Sequence, residues 1–147
     1  MTEIEIDLIG LESSDVDLTE QIVREIKLSS PGDARAFLNA PGSVAYAATH
    51  SNNPIGWAYG YVLERPDGGR MMLLYEIEVV ADWRRKGVGR RLVGAFRDHA
   101  VEAGCQSMWL VTDDDISAQM LYQLEGANTE GTRLQFAWRD LPARIDE

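Results

Sequence analysis

The stretch that decides the fold reads Met71-Met-Leu-Leu-Tyr-Glu-Ile-Glu-Val-Val80, then Ala-Asp-Trp, then Arg84-Arg-Lys-Gly-Val-Gly-Arg-Arg91. A strand-like run leads into a basic, glycine-bearing turn, and an amphipathic pattern follows. Glycines let backbone amides approach a ligand that a side chain would hold off. The first amides of a helix have no intrahelical partner, and the helix dipole adds positive charge there. Such a terminus binds phosphate. Arg84, Arg85, Lys86 and Arg90 crowd the same turn. The segment predicts a ligand that carries several negative charges.

Working outward, the charge distribution sharpens this reading. The chain of 147 residues has 14 Lys+Arg against 24 Asp+Glu, a formal charge of −10. Six of those basic residues lie between Arg84 and Arg97 with no acidic residue among them; the remainder holds 8 basic against 24 acidic, a net of −16. An acidic protein with one basic turn suggests a polyanion held locally and a cation drawn in by the wider negative field. An acidic surface also serves solubility alone, and charge by itself does not decide between the two.

The length predicts one domain, residues 1–147, large enough for a real core. No apolar run is long enough to span a bilayer, so no membrane partner is expected. The acidic, alternating start, Met1-Thr-Glu-Ile-Glu-Ile-Asp7, is unlike a signal peptide. Cys105 is the one cysteine, which rules out an internal disulfide and suits a reducing cytoplasm. With only His50 and His99 beside it, no metal site is expected. The overall charge argues against a nucleic-acid-binding face.

Strands and helices alternate along the chain. Thr2 to Leu8 reads as a strand, and Leu18, Ile22, Val23 and Ile26 form the apolar stripe of a helix from Leu18 to Leu28. Asp33 is placed to cap a short helix through Leu38. Ser43 to His50, Ile55 to Glu64 and Arg70 to Val80 read as strands joined across Asn52-Asn-Pro54 and Pro66-Asp-Gly-Gly69. A helix from about Gly87 to Ala103 carries Leu92, Phe96, Ala100 and Ala103 on one face, and Gly104 ends it. Ser107 to Thr112 predicts a buried strand, Ile116 to Glu125 a helix capped by Asp115 and ended by Gly126, and Arg133 to Arg139 a last strand. The strand–turn–helix–strand unit implies a parallel pair in a mostly antiparallel sheet.

Gly87-Val-Gly89 alone is a weak signal. Leu92 stands where a dinucleotide fingerprint needs a third glycine, and no Gly-Lys-Ser/Thr ending makes a Walker loop. The order Arg-x-x-Gly-x-Gly between a strand and an amphipathic helix is more specific. It resembles the acyl-coenzyme A pyrophosphate loop of the GNAT N-acetyltransferase superfamily. Downstream, Asp115-Ile-Ser-Ala118-Gln-Met-Leu121-Tyr122-Gln-Leu-Glu-Gly126 resembles the superfamily's Asn-x-x-Ala-x-x-Leu-Tyr-x-x-x-Gly helix. Asp115 departs from the usual Asn but still caps a helix. Ala81 stands where many relatives have proline. The likeness covers roughly residues 43–138. It implies an α/β (α+β) GNAT fold, with a mixed, mostly antiparallel sheet of about six to seven strands and about four flanking helices. It also implies acetyl-CoA as co-substrate and a homodimer.

A narrower resemblance, to aminoglycoside 3-N-acetyltransferases of type I, rests on several stretches. These are Ser43 to Glu64, Leu74-Tyr-Glu-Ile-Glu-Val79 leading into the basic turn, the Asp-rich turn, and the Ala-x-x-Leu-Tyr helix. It implies a small cationic amine substrate, an aminoglycoside acetylated at its 3-amino group, and a role in antibiotic resistance. A protein N-acetyltransferase acting on a lysine or N-terminal amine is the alternative.

An amine attacks a thioester only as the neutral base, so a proton must first be removed. Glu76 and Glu78 lie two apart on one strand and can share a face. Either can be that base or a salt-bridged strand carboxylate; the family comparison favours Glu76. A strand bulge could alter which of them faces the cleft. Tyr122 matches the tyrosine proposed as general acid in the superfamily, and packing with Leu121 is its structural alternative. The resemblance assigns backbone groups of Val79 and Val80 to the pantetheine arm. It assigns the amides of Arg85, Lys86, Gly87, Val88, Gly89 and Arg90 to the pyrophosphate. Asp113, Asp114 and Asp115 are candidates for the acceptor, or simply a helix-capping loop. Trp57, Tyr59 and Tyr61 alternate along one strand and could floor a ring-shaped ligand, or belong to the core or a dimer contact.

Overall fold

The computed structural model describes residues 5–112, 116–131 and 134–142. One sheet organises them, with strands β1 (Asp7–Gly10), β2 (Ser43–His50), β3 (Asn53–Glu64), β4 (Arg70–Val79) and β5 (Ser107–Trp109) in that spatial order. The first four pair antiparallel, and β4 pairs with β5 in parallel, as the strand–turn–helix–strand reading requires. Helices α1 (Val16–Glu25) and α2 (Ala34–Asn39) precede β2, α3 (Val88–Glu102) joins β4 to β5, and α4 (Ile116–Leu124) follows β5. Asp33 caps α2 as expected, its carboxylate accepting the Arg35 amide at 3.1 Å.

Each face of the sheet is covered by a helix because each strand alternates its side chains. On one face, Val44, Ala48, Ala58, Met72 and Leu74 meet Val88, Leu92, Phe96 and Ala100 of α3. On the other, Ala47 and Trp57 meet Ile22 and Ile26 of α1. Burying one such large apolar side chain contributes about 1.5–3 kcal/mol. The periodic stripes read from the sequence are therefore the two core layers.

The sheet has five strands among the described residues, not the six to seven expected. The expected buried strand from Ser107 to Thr112 ends at Trp109, and Trp109 and Val111 are exposed. The ladder stops at Leu73↔Trp109 while β4 runs on to Val79, so the two strands diverge. Of the expected last strand, residues 134–139 are described and form none; Leu134, Phe136 and Trp138 alternate like a strand but remain exposed. Alternation marks a pleated surface only where a neighbouring strand supplies hydrogen bonds. The described residues supply none there.

β4 carries the decisive irregularity. Its register against β3 steps from Gly60↔Leu74 to Tyr59↔Glu76, leaving Tyr75 as the extra residue of a bulge. Before it, Met72 and Leu74 face α3; after it, Ile77 and Val79 pack on that same core. Glu76 and Glu78 are thereby turned to the opposite face, across from Tyr59 and Trp57. Without the extra residue, strict alternation would drive both carboxylates into the α3 core.

Candidate active site

The divergence of β4 from β5 opens a cleft of about 280 Å³. Its walls are Leu74–Ile77 on one side and Leu110–Thr112 on the other, with Tyr122 and Gln135 closing it. Glu76 and Tyr122, far apart in sequence, thus line one cavity. Leu121 packs toward the start of α3, within 3.2 Å of where a Cβ on Gly89 would sit, which ties the Tyr122 helix to the basic turn.

Both strand carboxylates sit in one small network. Lys27, just past α1, places Nζ 2.8 and 3.1 Å from the two Glu76 oxygens. Tyr59 donates its hydroxyl to Glu76, and Glu78 hydrogen-bonds to the same carboxylate. Burial pushes Glu76 upward, but the bonds from Glu78, Lys27 and Tyr59, with the Lys27 charge, outweigh it and hold Glu76 below the usual carboxylate range. Burial, the hydrogen bond to Glu76 and its charge push Glu78 up to about 7, against the pull of Lys27 and Arg84. Two adjacent carboxylates do not both ionise freely, so the proton they share rests on Glu78. Burial also raises Tyr122, which keeps its phenol protonated at neutral pH. The Lys27–Glu76 pair is open enough to solvent, at 35% and 23% side-chain exposure, to be worth only about 0–1 kcal/mol.

The aromatic row divides. Trp57 is a core residue, 4% exposed, and its buried indole Nε1–H has no hydrogen-bond partner among the described residues. Tyr59 stacks on Trp57 at 4.8 Å and meets Phe37 edge-on at 5.5 Å; Tyr61 meets Phe37 at 6.1 Å. Tyr59 and Tyr61 therefore border the carboxylate face rather than line the cleft. Asp113, Asp114 and Asp115 lie outside the described residues.

The basic turn is shaped for an anion. Arg85 and Gly87 both have left-handed backbones, φ 62° and 84°, and the Val88 amide opens α3 directly after them. Such a turn at a helix start points successive amides into one concavity. No atom lies within 4 Å of where a Gly87 Cβ would sit, so the mouth is open. Some of the basic side chains already have partners. Arg84 Nε donates to the Val79 carbonyl at 3.1 Å, Arg90 pairs with Glu125 at 2.7 Å, and Lys86 lies 4.9 Å over the Trp83 ring. The Val80 amide donates to the Ile55 carbonyl at 2.9 Å. Neighbouring backbone groups alternate, so those of Val79 point away from β3, to the side where β4 has lost β5. A bent pyrophosphate-bearing arm fits this arrangement: backbone nest at one end, and along its length a strand edge that no neighbouring strand covers among the described residues, its Val79 carbonyl accepting from Arg84.

What sequence reasoning missed is Lys27 and the aromatic shell over it. Lys27 stands 49 positions from Glu76 with no pattern linking them. Glu125 as the partner of Arg90 and Arg97 was likewise invisible, apart from its place at the end of α4.

Comparison with known proteins agrees with this geometry. The family model described as Acetyltransferase (GNAT) family matches residues 16–126. An aminoglycoside acetyltransferase, meta-AAC0020, from an uncultured soil metagenomic sample, solved with sisomicin, superposes with a TM-score of 0.82 at 22% identity over 90% of this chain and 95% of that one. Aminoglycoside N-acetyltransferase AAC(6')-Iy in complex with CoA gives 0.77 at 18%, over 94% and 97%. Ribosomal-protein-alanine N-acetyltransferase from Brucella melitensis biovar Abortus 2308 gives 0.73 at 22%, over 91% and 100%. At these identities the likeness is one of fold. No curated protein matches the sequence.

Proposed function

The chain belongs to the GNAT acetyltransferase family, and within it we propose that this protein acetylates an amine of a small polycationic substrate, an aminoglycoside first among them. The observation that carries the reading is that Glu76, with Glu78 bonded to it, and the Tyr122 phenol come together, Glu76 and Tyr122 lining one cleft beside the strand that leads into the anion-shaped turn. The 3-amino group is the position favoured by the sequence likeness. The solved neighbours named as aminoglycoside acetyltransferases, one carrying the 6' designation and one bound to sisomicin, support the substrate class.

Acetyl-coenzyme A supplies an activated acyl group on a thiol leaving group. The residues around it divide the rest. Backbone amides from Arg85 to Arg90 hold the pyrophosphate, and the arm lies along the outward edge of β4 at Val79, where Arg84 already donates to the Val79 carbonyl. Glu76 draws the ammonium of the acceptor, and Glu78, with its pKa near 7, takes the proton that frees the amine. The base role thus moves from Glu76, the member favoured by the family comparison, to Glu78. The Val79 amide is the donor available to an acyl oxygen. Tyr122 gives a proton to the departing sulfur.

The ribosomal-protein-alanine N-acetyltransferase neighbour keeps the protein-substrate reading in view. A thiol-release screen with acetyl-CoA across aminoglycosides, polyamines and basic peptides decides between them. The proposal expects at least one aminoglycoside to exceed every peptide in kcat/KM; a peptide preference supports the alternative.

A further inference from the structure

We propose that Lys27 is a specificity-determining residue: its ammonium occupies the acceptor's cation subsite, and a cationic substrate must displace it. The proposal rests on the acceptor side of the reading above.

The observations are geometric. Lys27 reaches across from the end of α1, fixed at its stem by its amide to the Ile22 carbonyl at 3.2 Å and by the Ser29 amide to the Val23 carbonyl at 3.0 Å. Leu28 between them takes the left-handed backbone, φ 57°, which closes the helix and aims the chain away. The ammonium grips both oxygens of Glu76 and lies 5.8 Å from the Tyr59 ring centroid. Phe37, Tyr61 and Tyr75 stand around that ring. Carboxylate below and aromatic rings beside it are the chemistry that recognises an alkylammonium.

Here a lysine of the chain itself fills the place. It is 35% exposed and tethered by a flexible stem, so it can withdraw to solvent. While it stays, its charge repels an incoming cation, and each further charge on the ligand feels that repulsion. Lys27 therefore discriminates by total charge, penalising acceptors whose ammonium groups cannot out-compete it at Glu76.

Calorimetric binding of spermidine and of n-butylamine, with CoA present, tests this on the parent and on Lys27→Met, Lys27→Arg and Glu76→Gln. Lys27→Met keeps the length and loses the charge. It is expected to bind spermidine about tenfold tighter, a change of 1.4 kcal/mol, with a smaller gain for butylamine. Lys27→Arg is expected to match the parent, and Glu76→Gln to bind spermidine more weakly. Unchanged CoA affinity verifies that each variant is folded. Equal or weaker spermidine binding by Lys27→Met overturns the proposal, as does unaltered binding by Glu76→Gln or no binding by any of the proteins. The activity reading fails separately, through a parent that releases no thiol with any amine.

Discussion

Gly60 of β3 lies so close to Leu73 of β4 that a Cβ on it would run into the Leu73 carbonyl oxygen. That contact sits where the register of the two strands steps. Only a residue without a side chain lets the backbones close there, and the bulge that follows turns Glu76 and Glu78 away from the α3 core. The face of β4 that carries Glu76 and Glu78 thus depends on the absence of a side chain at Gly60 of β3.

Gly60→Ala must push the strands apart. Overpacking of this kind costs about 1–3 kcal/mol, and it falls on the segment that aims both carboxylates. Chemical denaturation should show that loss, and the folded variant should lose kcat while keeping its CoA affinity. A variant of parental stability and rate would show that the bulge is set by other contacts.

Gly87 holds its left-handed backbone with open space around it, so a side chain there strains the backbone rather than collides. A left-handed residue with a Cβ costs about 1–2 kcal/mol, and relief of that strain would turn the amides away. Gly87→Val should therefore raise the CoA dissociation constant by about tenfold or more. Isothermal titration reads this directly, and unchanged affinity would place the pyrophosphate elsewhere.

Tyr122→Phe removes one hydroxyl from the cleft and keeps the ring that packs beside Leu121. Loss of a general acid lowers the rate by about 10²–10⁴-fold. The fall should appear in kcat when the chemical step limits turnover, with acceptor KM little changed. Parental turnover would give the proton to water.

The net of −16 outside the basic segment predicts that the acceptor is gathered by field as well as by contact. Charges are screened beyond about 10 Å at 0.1 M salt. Acceptor KM should therefore rise with ionic strength for a polyamine and stay nearly flat for a neutral-bodied monoamine. A salt-independent KM for the polyamine would confine recognition to the cleft.

Much of this was legible in the chain because it is local. The turn 84–90, the α3 stripe, the Asp33 cap, the hairpins and the Leu121–Tyr122 helix each announce themselves within a dozen residues. The sequence also put Glu76 and Glu78 on one face, and allowed for a bulge without locating it. The facts that decide their roles are long-range. The Lys27 ammonium, the Tyr59 hydroxyl and the Gly60–Leu73 approach join residues with no periodic relation. Family comparison therefore favoured Glu76, while the environment raises Glu78. The last strand was overread because Leu134, Phe136 and Trp138 alternate correctly, and alternation cannot reveal whether a partner strand exists.

The most direct test is the pH dependence of kcat/KM for the parent, Glu76→Gln and Glu78→Gln, with one acceptor and saturating acetyl-CoA. The acceptor's own titration is then common to all three. A base with a pKa of about 7 is protonated and idle below it, so parental activity should climb with pH and level off above about 7. Glu76→Gln removes the charge and the hydrogen bond that raise Glu78, so its acid limb should move to lower pH. Glu78→Gln should lose that limb and fall by about 10²–10⁴-fold. If Glu78→Gln keeps the parental limb and rate while Glu76→Gln loses both, Glu78 is not the base and the central assignment is wrong.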